Sequence, residues 1–218
     1  MTNQILPRKL LDQLEEDGLL LESDPRLPSV ASIVAGEPIK GSWWGHPKGH
    51  AIFAAAQRLR ESPDILVVKL VSGKLTYVHR KLWPSLLAMA RSGDDWQTRG
   101  LPPRARALLV KVETEGRVRA DAPEWRDAAR ELERRLLAYS QDEHTQTGSH
   151  AKWLESWEHL RRRRPLPGGL TTGAARELLE ATLQALNARF EANGSLPWTS
   201  RSGRRGSPAP RRSSRRSR

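Results

Sequence analysis

The chain has 218 residues and a formal net charge of +12, but eight of its arginines lie between Thr199 and Arg218, a stretch with no acid, which leaves +4 for residues 1–198. The run Arg161, Arg162, Arg163 and Arg164 matches that remainder, so a uniformly basic body is excluded and attraction to polyanions falls to local segments. The absence of cysteine excludes disulfides and thiolate chemistry, and no apolar run approaches the roughly 20 residues of a membrane span, so a soluble cytoplasmic protein without membrane partners is expected.

Leu10, Leu11 and Leu14 recur at helical spacing within Pro7–Asp17, and Gly18 is a natural C-terminal cap. A short helix over Ser29–Ala35 follows, bracketed by Pro28 and Gly36. The segment Gly41–His50 is dense in glycine and aromatic residues and reads as a structured loop feeding a helix over Ala51–Leu59. Ile65–Val71 and Lys74–His79 are β-branched runs separated by Ser72-Gly73, which predicts a hairpin with a two-residue break. A helix is expected over Lys81–Arg91 and ends before Gly93.

Pro102–Glu115 predicts a helix capped by Gly116, Arg117–Ala120 a short strand, and Pro123–Ala138 a helix burying Trp125, Ala129, Leu132 and Leu136. Ser140–Gly148 lacks helical periodicity, and Ala151–Leu160 is read as helical through Trp153, Leu154, Trp157 and Leu160. Helix, short strand, helix, then an extended piece is the order of a winged-helix unit. After the linker Pro165–Gly169, Thr171–Ala192 predicts a last helix with Leu178, Leu179, Thr182, Leu186 and Phe190 inward. The closing serine, arginine, proline and glycine cannot bury enough apolar surface to order. No internal repeat is detectable over 1–198.

Three arginine groups are the candidate nucleic-acid contacts. Arg126, Arg130 and Arg134 fall within about 80° of one another in helical projection, opposite the Trp125 and Leu132 face, and such a stripe suits a phosphate backbone. Glu133 projects beside Arg126, so a solvated face of pairs such as Glu131 with Arg135 is the competing reading. Arg161–Arg164 can neutralise phosphates or complement a helix dipole. Arg204, Arg205, Arg211, Arg212, Arg215 and Arg216 belong to a basic arm whose serines are open to phosphorylation.

A cleft is the other candidate site, built from Trp43, Trp44, His46, Lys48, His144 and His150. Adjacent tryptophans cannot share a face in an extended chain, so one is free to line it. Trp125, Trp153 and Trp157 are expected in the core. Neither histidine pair has the helical zinc spacing, and no phosphate-cradling or dinucleotide motif is present, so no metal or small-molecule cofactor is expected.

Ser42-Trp43-Trp44-Gly45-His46-Pro47, the stretches Ser62–Leu70 and His79–Pro84, and His144–His150 with Leu154–Trp157 resemble a bacterial family of small proteins described as related to AlkZ. AlkZ-type enzymes are DNA glycosylases that unhook crosslinks and are built of tandem winged-helix units. The likeness covers roughly residues 5–160. It implies a winged-helix fold and DNA association. Their catalytic pair of glutamines spaced by one residue has no counterpart here, since Glu143 follows Gln141 and Gly148 follows Gln146 at that distance, and no catalytic residue transfers.

The expected architecture is mainly helical α+β: an α+β region over 1–98 with a small β-hairpin, a winged-helix-like unit over 99–164, a linker and helix over 165–195, and a disordered tail over 196–218. The expected function is DNA binding, as a repair accessory factor. The alternatives are a glycosylase-like repair enzyme and a protein-interaction factor with a basic tail.

Overall fold

The computed structural model describes residues 8–144, 150–165 and 167–199. The fold is mixed α+β and mainly helical. It opens with α1 (Arg8–Asp17), β1 (Leu19–Leu21), α2 (Val30–Ala35), α3 (Gly49–Glu61), β2 (Ile65–Lys69) and β3 (Leu75–His79), followed by α4 (Trp83–Ala90) and α5 (Asp95–Thr98). A second series comprises α6 (Pro103–Glu115), β4 (Arg117–Arg119), a 3-10 turn (Pro123–Trp125), α7 (Arg126–Arg134), β5 (Tyr139–His144) and β6 (His150–Glu155). The chain closes with α8 (Trp157–Arg163) and α9 (Thr172–Arg189).

Both series build a three-stranded antiparallel sheet in which the last strand lies between the other two, β1-β3-β2 and β4-β6-β5. The order helix, strand, helical turn or short helix, helix, strand, strand therefore occurs twice. Residues 8–79 hold a complete copy of it, a repeat that the amino-acid sequence does not display.

Local chemistry sets the element ends. Ser29 caps α2 through a reciprocal pair with Ser32, whose backbone N–H and hydroxyl both engage it. Gly18 and Gly116 sit at φ 76° and 78°, the left-handed region that ends a helix without a Cβ penalty. Ser156 accepts from the His159 N–H and starts α8.

The first sheet is covered on both faces. Leu20, Ile65, Val67 and Tyr77 pack with α1, α2 and α3, while Leu19, Leu21, Leu66, Val68 and Val78 turn to α4 and α9. That two-sided burial is why the three leucines of β1 are all inaccessible, each contributing about 1.5–3 kcal/mol relative to exposure. The second repeat has its own interior around Leu108, Val112, Leu132 and Leu154, but Leu136, Tyr139, Trp157 and Leu160 join the first repeat's core. One of the core clusters thus spans both repeats.

Several expectations need correction. Residues 150–155 form β6, and helix α8 begins only at Trp157. The periodicity of Trp153, Leu154, Trp157 and Leu160 spans a strand-to-helix junction at Ser156. Trp153 is half-buried, with the Arg117 guanidinium 4.3 Å above its ring. Trp125 is also only half-buried, and α7 ends at Arg134 because Leu136 adopts φ 52°. The first hairpin has a five-residue loop, since its last pair is Lys69 with Leu75. In α9 the inward residues are Ala175, Leu179, Leu183 and Leu186, whereas Leu178 is exposed.

The segment after α9 is also part of the body. Ser72 donates its N–H to the Ser195 carbonyl at 2.7 Å, and Ser195 donates to the Ser72 hydroxyl at 3.2 Å. Leu196 is fully buried, and Trp198 lies 5.4 Å from Trp96 between ring centroids. Residues 196–199, assigned to the tail from composition, therefore pack against the body, with Leu196 in the core and Trp198 against Trp96 and Glu180. The tail beyond Thr199 lies outside the described residues.

Candidate nucleic-acid interface

α7 presents two contrasting faces. Ala128, Ala129, Leu132 and Glu133 are buried, and Arg126, Arg130 and Arg134 are exposed along the outer side. Arg126 has no ion-pair partner among the described residues. Arg130 lies 3.5 Å from Asp127, which is fully solvated, and Arg134 only 4.0 Å from Glu131. Glu131 is engaged more closely by Arg135 at 2.7 Å, the pair foreseen for a solvated face. Arg135 also donates to the carbonyls of Gln97 and Arg99 and so ties α7 to α5. Positive charge on the outer stripe is left in excess.

Glu133 does not belong to that outer face. Its side chain is 2% exposed, and the carboxylate receives Lys69 of β2 and Lys152 of β6, each at 2.5 Å. Burial alone would raise its pKa, but the charges and hydrogen bonds of Lys152 and Lys69 outweigh that and hold the carboxyl below the ordinary glutamate range.

Arg134 also lines a cavity of about 490 Å³ with Arg135, Ser72, Trp96, Ser195 and Pro197. Arg134 and the C-terminal residues Ser195 and Pro197 therefore line one cavity. Arg204, Arg205, Arg211, Arg212, Arg215 and Arg216 themselves lie outside the described residues.

The run Arg161–Arg164 is placed differently. Arg163 makes a two-pronged contact with buried Glu155 at 2.8 and 2.7 Å, and Arg164 donates to the Ile65 carbonyl at 3.1 Å. Arg161 pairs with Glu158 at 3.1 Å, and Arg162 is largely exposed. Arg164 is thus anchored at the start of β2, whereas Arg134 lies by the loop that follows its end. Arg163 and Arg164 are held by partners within the fold, so the second half of the run is structural.

The cleft residues divide in the same way. A 3-10 turn over Trp43–Gly45 stacks the two indoles, centroids 4.2 Å apart at 22°, with Trp43 buried and Trp44 68% exposed. Phe53 of α3 stands 5.7 Å from Trp44. His46 accepts the Lys48 N–H at 3.1 Å, and the Lys48 ammonium donates to the Ala35 carbonyl at 2.8 Å, so both hold the loop rather than line the cleft. The side chains of His144 and His150 lie outside the described residues.

Trp43 and Trp44 do line a cleft, but its other walls were not visible in spacing. A cavity of about 220 Å³ is bounded by Trp44, Phe53, Gln57, Arg60, Glu22 and Asp142. It continues past Gln57, Arg60 and Asp142 into a larger one of about 430 Å³ reaching Lys69, Glu133, Gln141 and Lys152. The groove runs between α3 of the first repeat and the β5–β6 pair of the second, and only the tertiary fold brings these residues together.

No family model, curated protein or solved structure matches the chain.

Proposed function

We propose that the chain is a DNA-binding protein built of two winged-helix-like units, which holds duplex DNA chiefly through its phosphates. The reading is supported by element order: helix, strand, helix, helix, strand, strand, with the last strand central, is the winged-helix order, and it occurs twice. In helix-turn-helix proteins the second helix of the pair meets the groove, and α7 occupies that position with Arg126, Arg130 and Arg134 facing out. The resemblance to AlkZ-related proteins points to the same ligand.

The observation that carries the proposal is that Arg134 lines the same cavity as Ser195 and Pro197. The basic segment follows these residues in the chain, and on this reading it and the arginine stripe engage one stretch of backbone. The test is a fluorescence-anisotropy titration of a labelled duplex with the variant carrying Arg126→Ala, Arg130→Ala and Arg134→Ala. All three side chains are exposed, so folding is retained, and affinity at low salt falls by about tenfold or more as phosphate contacts are lost. Unchanged affinity overturns the assignment of α7.

A further inference from the structure

We infer that the groove between the repeats is a second site, which takes one unpaired nucleobase on Trp44. The inference rests on the nucleic-acid reading only for the class of ligand, since none of the residues involved lies on the outer stripe of α7.

Trp44 is the most exposed large hydrophobic residue described, at 68%, and the partly exposed Phe53 stands beside it, so the two rings form a contiguous apolar patch of the kind that marks a binding surface. It is also held rigid. Trp43 backs it in a stacked pair, and the Ser42 hydroxyl accepts the Trp44 N–H at the start of the turn. A ring presented that way loses little entropy when another ring stacks on it. Phe53 closes one side at a tilt of 41°, which leaves a slot for a planar group. The cavity of about 220 Å³ is below the ~300–1,000 Å³ of sites for drug-sized molecules and suits a single ring system.

The polar wall identifies the ring as a base and not a neutral aromatic. Asp142 is half exposed at its side chain, and its nearest cation is Lys152 at 3.9 Å, so its carboxylate retains acceptor capacity toward the cavity. A carboxylate accepts from the exocyclic amino group of cytosine, and from comparable donors on other bases. Arg60 is committed to Glu22, which also accepts from the Tyr77 hydroxyl at 3.2 Å, and this network fixes the floor. Charge excludes the alternative of threading the phosphate backbone through the groove. Its cations Arg60, Lys69 and Lys152 face Glu22, Glu61, Glu133 and Asp142, an acid excess that repels consecutive phosphates. The base enters and the backbone stays outside.

The experiment compares full-length protein with its Trp44→Ala and Asp142→Asn variants. Anisotropy titrations use a short fluorescein-labelled oligo-deoxycytidine and, separately, a blunt duplex. Base-on-aromatic stacking accounts for about tenfold in affinity, so Trp44→Ala weakens single-strand binding by about that factor and leaves duplex binding within about twofold. Asp142→Asn weakens the same single-strand binding, since an amide accepts less strongly than a carboxylate. Both side chains are exposed, and circular dichroism of the two variants verifies the fold. Equal effects of Trp44→Ala on both probes, or no effect on the single strand, overturn the site. Loss of duplex binding in the α7 triple variant, with single-strand binding retained, separates the two sites. Retained duplex binding in that variant refutes the α7 assignment without touching the groove.

Discussion

Glu133 of α7 holds Lys69 of β2 across the boundary between the repeats at 2.5 Å, and its second oxygen holds Lys152 at the same distance. One buried carboxylate thus ties the two sheets together at the foot of the groove. Removing one partner of a fully buried ion pair costs about 3–5 kcal/mol. Both lysine side chains are about a quarter exposed and can regain water. Glu133→Ala is therefore expected to cost about 2–3 kcal/mol in urea unfolding, somewhat less than that range.

The same residue makes stability depend on pH. The folded pKa of Glu133 is depressed, so between it and the ordinary glutamate value the unfolded chain binds the additional proton and stability rises with pH. The contribution is complete above the ordinary value and is lost as acid protonates the folded carboxylate. Glu133→Gln is expected to flatten the stability profile in that acidic window and to leave the slope near neutrality unchanged. Urea midpoints measured across the two ranges check this.

Within the four-arginine run, neighbours are expected to behave differently. Arg163→Ala leaves buried Glu155 without its two-pronged partner and costs about 1–3 kcal/mol. Arg162 is 74% exposed at its side chain with only Glu158 at 4.0 Å, so Arg162→Ala stays within about 0.5 kcal/mol. Denaturant unfolding of the two variants side by side reads the contrast.

Trp157 donates its indole N–H to the Leu136 carbonyl at 2.7 Å inside the shared core. That carbonyl belongs to a residue at φ 52°, a backbone position that L side chains rarely adopt. Trp157→Phe removes the donor and leaves the carbonyl unsatisfied, at a cost of about 1–3 kcal/mol in thermal or urea unfolding.

Elements with strong local signals were legible in the sequence. The leucines of α1, the capped α2, the β-branched β2 and the proline-started α6 all appear near their expected positions. β6 was misread because Trp153, Leu154, Trp157 and Leu160 mimic helical spacing across a junction that Ser156 alone marks, as the cap of α8. Glu133 projected as a surface charge because a helical wheel has no knowledge of Lys69, which lies 64 residues earlier. The groove residues Gln57, Arg60 and Asp142 carried no motif. Their proximity arises from two repeats docking, which spacing along one chain does not encode. Trp43 and Trp44 were singled out as cleft residues and both line it, but the 3-10 turn stacks their rings together, which the extended-chain argument did not foresee.

The central claim, that the α7 stripe and the basic segment after Thr199 act together on one phosphate backbone, is tested most directly by salt dependence. Duplex affinity is measured over a range of salt for the full chain and for a version ending at Thr199. Each phosphate neutralised adds about −0.9 to the slope of log affinity against log salt, so the shortened protein is expected to show a clearly shallower slope. Substituting Arg126, Arg130 and Arg134 by alanine is expected to flatten it further. Identical slopes for the full and shortened chains, or no duplex binding by the full chain at low salt, would contradict the account.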